Sequence, residues 1–302
     1  LIKKILTIGI IILFLGVVIN SSVAINNINK PISNGKTLYV GGTGPGNYTK
    51  IQDAINDANS GDTVFVYSGT YYENIVVYKS IDLIGENKNT TVIDGGGLYG
   101  FDVIYISFDR ITISGFLIQN SGMSDAGIYI RSKYNNIIGN TISNNGDGVR
   151  LSSIHNTIMD NIITTNHDDG IEIWTHSNTI RGNIISNNND GIHLKGGSTN
   201  TIIGNNIYSN KGIGILLMYT TSFGGSHPSH NNSIYKNNFF NNKQDAYFVH
   251  NIMNSIYRRN KWWGNYWNRP RILPKIISGK FSFFLWIYID WRPAFKPYDI
   301  KV

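Results

Sequence analysis

Three Asp-Gly steps, Asp147-Gly148, Asp169-Gly170 and Asp190-Gly191, recur at intervals of 22 and 21 residues, and a further acid, Asp168, precedes the middle one. Three positions after each Asp stands a residue that can hold or move charge: Arg150, Glu172 and His193. Carboxylates brought about 5 Å apart repel by roughly 3 kcal/mol at an effective dielectric of 20. Such a ladder favours a bound cation, a raised pKa or neighbouring bases. Asp168, Asp169 or Glu172 would then act as general acid or base, with His193 or Arg150 stabilising charge, whereas calcium would use the Asp ladder itself. Asp-Gly steps also make ordinary turns, and that reading stays open. Beyond the same runs lie Trp174, a ring on which a sugar can stack, and Lys195, a partner for a carboxylate. Gly191 to Asn200 spans 9 residues but Gly214 to Asn232 spans 18, so an insertion around Tyr219–His230, carrying Tyr219 and His227, should rise beside them. The chain has no Cys, which removes thiolate metal sites and Cys nucleophiles. His167, His176 and His193 occur in neighbouring repeats without close ligand spacing, and the identity of any metal stays unassigned.

These residues can meet only if the chain between them repeats. Gly127, Gly148, Gly170, Gly191 and Gly214 lie 21, 22, 21 and 23 residues apart, a period that signals a solenoid rather than a globular core. Each repeat carries three Asn five residues apart, as in Asn178, Asn183 and Asn188. After the Gly come two apolar residues flanking a variable one, as in Ile171-Glu172-Ile173, the alternation of a strand with one buried face. Two residues after the first and second Asn stand further apolar positions, Ile180 and Ile185 in the same repeat. Each repeat is therefore three short strands separated by corners. Stacked about 4.8 Å apart, the repeats make ladders of Ile inside and of Asn at the corners, where Asn tolerates left-handed backbone and pairs with its copies. The fold expected is an all-β right-handed parallel β-helix of about nine coils, roughly 22 residues per coil. The residue between the two apolar ones faces outward, aligning Tyr129, Arg150, Glu172, His193 and Leu216 in one row.

Residues 1–24 read as a secretory signal, with Lys3 and Lys4 before an apolar run, Ile5 to Ile19, and Ser22-Val23-Ala24 as a cleavage site. Residues 25–267 then form the β-helix, opened by a capping helix near 50–59 with Thr49 as its N-cap and Ile51, Ala54, Ile55 and Ala58 on one face. Residues 268–302 form a basic, aromatic closing segment. Charge is uneven: 14 Lys and Arg against 17 Asp and Glu in 25–257, but 10 against 2 in 258–302. The coils therefore lack the basic stripe of a nucleic-acid groove. The run Phe281 to Ile289 is too short to span a bilayer. Membrane contact is left to an uncleaved signal or to the closing aromatic segment.

The opening IQDAI, GDTVFV, GTYYENIVV and IDLIG, followed by coils of the form N-x-I and G-I-x-I, resembles the pectin-lyase-like right-handed β-helix superfamily, within it the NosD-like proteins and the carbohydrate-binding and sugar-hydrolysis (CASH) domains. The resemblance covers roughly residues 37–267. It implies an exported protein, secreted, periplasmic or at the cell surface, that binds, or binds and processes, an extended polysaccharide or surface glycan on the first-strand face. Asp147, Asp190, Trp174, Lys195, Tyr219 and His227 would serve as binding residues. Two alternatives come with it: copper handling in the NosD manner, through the His residues, and a non-catalytic surface protein. The paired acids of HDDGIEI resemble those of polygalacturonases, and the acidic ladder resembles the calcium sites of pectate lyases. No Gly-His-Gly accompanies them, and the first Arg-x-Lys downstream is Arg259-Asn260-Lys261, at the far end of the coils, so lyase and hydrolase chemistry stays undecided.

Overall fold

The computed structural model describes residues 35–220, 228–250, 259–282 and 284–302, all in the compact unit 34–302. The proposed signal, His227 and residues 251–258 lie outside the described residues. The chain winds into a right-handed parallel β-helix of about nine coils. Its three sheets hold ten, ten and nine strands, each pairing in parallel with the strand one coil away except in a closing antiparallel hairpin. The apolar columns fall in register: Ile171 sits between Val149 and Ile192, and Ile180 between Ile158 and Ile202. Ile171, Ile180 and Ile185 are all fully buried. Each such side chain contributes about 1.5–3 kcal/mol through removal from water.

The corners differ from expectation in one respect. The ladder Asn residues do not take the left-handed backbone; the residue before each one does, as at Tyr134 (φ 61°), Asp160 (55°), Ser177 (62°) and Asn187 (58°). The Asn side chain instead satisfies backbone groups that the turn leaves unpaired. Asn183 donates from Nδ2 to Ile158 O at 2.9 Å, Arg181 O at 3.0 Å and Asn205 Oδ1 at 3.0 Å, while its own Oδ1 accepts from Asn161 N at 3.0 Å. Upstream of the Asn repeats, Ile111, Phe116 and Ser121 occupy the three ladder positions, and their N–H groups donate to the first Asn of each ladder.

The helix runs Ile51–Asp57 and buries Ile51, Ala54 and Ile55. Its N-cap is Lys50, without a side-chain cap, rather than Thr49. The first two free N–H groups are taken instead by the Glu73 carboxylate, from Ile51 N at 2.8 Å and Gln52 N at 3.0 Å. A charged acceptor at a helix start satisfies both the unpaired donors and the dipole. At the other end, Trp267 stacks on Phe239 with ring centroids 4.5 Å apart. A hairpin of Lys275–Phe281 and Phe284–Asp290 then continues the first sheet.

Candidate functional site

The outward row exists as a ladder. Tyr129, Arg150, Glu172, His193 and Leu216 pair strand to strand across the first sheet. Outward is not exposed, however. Glu172 is 4% accessible, and His193, Asp147, Asp169 and Asp190 are also buried. Only Asp168 among the acids is open to water. The reason is a mutual cover of charges. Arg150 Nε lies 3.1 Å from Asp147 Oδ2 and 2.9 Å from Glu172 Oε2, and its other nitrogen donates to Asp147 at 2.6 Å and to Ser124 O at 3.1 Å. Glu172 also accepts from Trp174 Nε1 at 2.7 Å and pairs closely with Lys195. His193 Nδ1 meets Asp169 Oδ2 at 2.9 Å, and Asp169 N donates to Asp147 Oδ1 at 3.1 Å.

This network pushes its carboxyls apart. Burial, followed by the charge of Glu172, raises Asp147 to about 7, with Arg150 opposing. Burial also raises Asp169, against its bond to His193. Burial works the same way on Glu172, but there the bonds from Lys195 and Trp174, with the charge of Lys195 and Arg150, outweigh it and leave the group below its ordinary value. A carboxyl that keeps its proton near neutrality beside a carboxylate that does not is the pairing required for general acid and base work.

Over the network lies an open groove of about 920 Å³. Asp147, Arg150, Asp168, Glu172, Trp174 and Lys195 all line it. Asp169, Asp190 and His193 are not in its wall; the first and last bond to each other, and Asp190 Oδ1 accepts from Ile213 N at 2.6 Å, securing the next turn. Tyr219 is also outside the wall, with its N–H on Val249 O at 3.1 Å, whereas its neighbour Thr220 does line it. Trp174 presents a ring that is 40% exposed, with Lys195 Nζ 5.4 Å from its centroid. Sequence reasoning passed over Arg131, which lines the groove and lies 6.0 Å from the Tyr129 ring. It was findable: Arg131, Ser152, Trp174 and Lys195 each follow the last inward residue of their strand, so they form one column.

Residues 55–272, well over half of the chain, match the family described as "Periplasmic copper-binding protein (NosD)". The chain belongs to the NosD family. No curated protein matches it. Among solved structures, a pectin methylesterase in complex with a hexasaccharide superposes with a TM-score of 0.58 at 14% identity, covering 76% of this chain and 88% of that one. The pectin methylesterase of Erwinia chrysanthemi gives 0.52 at 13% identity, covering 77% and 89%. An alginate lyase from Paenibacillus sp. str. FPU-7 gives 0.51 at 15%, covering 76% and 95%. These likenesses establish the β-helix fold that this NosD-family chain shares with polysaccharide-acting enzymes.

The family description raises copper, and the donor set can be tested against it. Two groups of the described residues bring ligand atoms within 4.8 Å of one another: Asp169, Asp190 and His193, and Asp147, Asp168 and Asp169. Each has at most one imidazole, and the chain offers no thiolate. Copper(I) selects soft sulfur ligands, whereas carboxylate-rich sets suit harder divalent cations. The described groups therefore do not fit copper(I).

Proposed function

We propose that this is an exported protein that binds an extended polysaccharide along its first-strand face. The observation that carries the reading is the groove. It draws its walls from successive coils, Tyr129 and Arg131, then Arg150 and Ser152, then Trp174, then Lys195, over a length on the order of 15 Å at the spacing of stacked strands. A chain polymer repeats along its axis as the coils do, so equivalent contacts can recur coil after coil. Trp174 supplies a face for a sugar ring, and its geometry is fixed by the indole N–H on Glu172. The proton-holding Asp147 and the ionised Glu172 are the groups that would carry acid and base steps on a bound chain, with Arg150 stabilising charge. The periplasmic description of the family supports export.

The exposed indole makes a direct test. Trp174→Ala removes the stacking face while leaving the coil core untouched, and exposed interface aromatics carry a large share of binding energy. Retention of the protein on the glycan that a glycan-array screen selects should weaken by about tenfold or more. Equal retention of wild type and variant would place the glycan elsewhere, and a blank array would favour a surface protein without a small ligand.

A second reading is favoured by two buried atoms, Asp169 Oδ1 and His193 Nε2, that lack hydrogen-bond partners. An unpaired buried acceptor costs about 1–3 kcal/mol, and a divalent cation beside Asp169 and Asp190 would satisfy it. On this reading calcium binds in preference to copper(I), because oxygen donors dominate and no thiolate is present. Titration calorimetry should show calcium binding that Asp190→Asn abolishes. Tight copper binding that survives this substitution would reverse the metal preference and the location together.

A further inference from the structure

The closing hairpin is an end of the first sheet that neither the groove nor the coil stacking explains. Its outer strand, Phe284–Asp290, has one neighbour among the described strands and lies at the sheet's edge. Four successive residues of that strand, Phe284, Leu285, Trp286 and Ile287, are exposed, Phe284 at 74% and Leu285 at 83%. Successive residues of a strand point to opposite faces, so the outer strand presents exposed apolar side chains on both of its faces near the turn. Soluble surfaces rarely keep contiguous apolar patches of that kind without a partner.

Two further observations identify the partner. The first is charge. Residues 258–302 carry 10 Lys and Arg against 2 Asp and Glu, and of the two acids Asp290 is fully buried. Lys280 is exposed and pairs directly opposite Leu285, next to the apolar turn. Arg292 and Lys296 are exposed just beyond the hairpin. The second is rigidity. Asp290 ends the central Asn ladder, accepting on Oδ2 from Asn265 N at 3.0 Å, Asn265 Nδ2 at 3.1 Å and Trp267 Nε1 at 3.0 Å, and on Oδ1 from Gly264 N at 3.1 Å. The hairpin is thereby locked to the last coil at its base, and its inner strand is held there at the turn end too, where Gly279–Phe281 pair with Phe248–His250, so the outer strand is presented on a fixed support.

We propose that this hairpin docks the β-helix on an anionic lipid surface, with Phe284, Leu285 and Trp286 entering the interfacial region and Lys280 reaching lipid phosphates. Trp, Phe and Leu flanked by cations are the residue types that settle at a bilayer interface. Each cation near an anionic leaflet adds attraction that falls off within a Debye length. A second copy of the chain fits less well. Edge-to-edge pairing through Phe284–Asp290 would satisfy its backbone N–H and C=O groups, yet leave side chains on both faces in water. A lipid interface covers both faces at once. Among the described residues no helix is long and apolar enough to cross a membrane.

The test uses the full chain and vesicles of phosphatidylcholine, alone or with about one-third phosphatidylglycerol. Co-sedimentation is compared for wild type, the Leu285→Ser/Trp286→Ser double variant and Lys280→Glu, so that any contribution of the apolar N-terminal run is common to all three. The double variant should partition at least about tenfold more weakly. Lys280→Glu should lose about fivefold or more on the anionic vesicles alone, with the loss shrinking as salt is raised. Both changes are at exposed positions, and unchanged thermal unfolding would show that the fold is retained. Equal partition of wild type and double variant overturns the proposal. Self-association in sedimentation velocity that the double variant abolishes, with vesicle partition unchanged, would assign the edge to a second copy instead.

Discussion

Asn183→Ala should lower the stability of the protein by about 3–4 kcal/mol, as read from the urea midpoint. The side chain is fully buried. Its loss strands the N–H of Asn161, which donates to Asn183 Oδ1 at 3.0 Å, and removes one donor from the carbonyl of Ile158, which accepts from Nδ2 at 2.9 Å. Each unsatisfied buried group costs about 1–3 kcal/mol, and the cavity left behind adds to it. Asn183→Asp separates the roles further. It keeps an acceptor for Asn161 but turns a carboxylate toward Ile158 O, Arg181 O and Asn205 Oδ1, three oxygens that Nδ2 now serves. At neutral pH it should therefore be at least as damaging as Ala. The same ladder tolerates a carboxylate at its end, because Asp290 faces only donors. Asp290→Asn should accordingly cost more than its near-constant shape suggests, since an amide nitrogen would face one set of those N–H groups. An Asn183→Asp variant as stable as wild type would refute this account of the corners.

The fold was legible because stacking converts sequence period into contact. Once Gly148, Gly170 and Gly191 are aligned, every inward Ile and every outward residue is placed, and the pairing of Arg150 with Glu172 and of Glu172 with His193 follows without further information. What escaped was everything set by groups that are remote or off the period. Glu73 caps the helix from 22 positions away in the chain, and nothing local to Thr49 announces it. The left-handed corners fall on Tyr134, Asp160, Ser177 and Asn187, residues with no common chemistry, because the turn is imposed by the ladder Asn that follows. Asp290 lies beyond the repeat, separated from Asn265 by a hairpin, so no column leads to it. At the site, the row of outward residues was placed correctly but not its burial. That depends on Trp174 and Lys195 folding back onto Glu172, a choice of rotamer rather than of register.

Glu172→Gln should change both the stability of the coil and its pH dependence. Removing the charge leaves Arg150 and Lys195 with less compensation. Loss of one partner from a buried ion pair costs about 3–5 kcal/mol, and on the order of 2 kcal/mol is expected where the cations keep about a quarter of their exposure, here 23% and 26%. The pH signature is sharper. In wild type Asp147 is raised from 3.8 to about 7. The folded state then binds more protons than the unfolded state between those values, and stability falls as pH rises through that window. Glu172, held below its ordinary 4.5, acts in the opposite sense: its contribution is present above that value and is lost as pH falls through the depressed folded pKa. In the variant the Glu172 contribution disappears, and with it one of the causes that raises Asp147, so the decline in stability should end at a lower pH than in wild type. Unfolding temperatures across pH 4–8, with the carboxyl carbon shift of Asp147 followed by NMR, give both readouts. If Asp147 titrates at the same pH with and without the Glu172 charge, the two carboxyls are not coupled, and the acid and base roles assigned to them in the groove lose their physical basis.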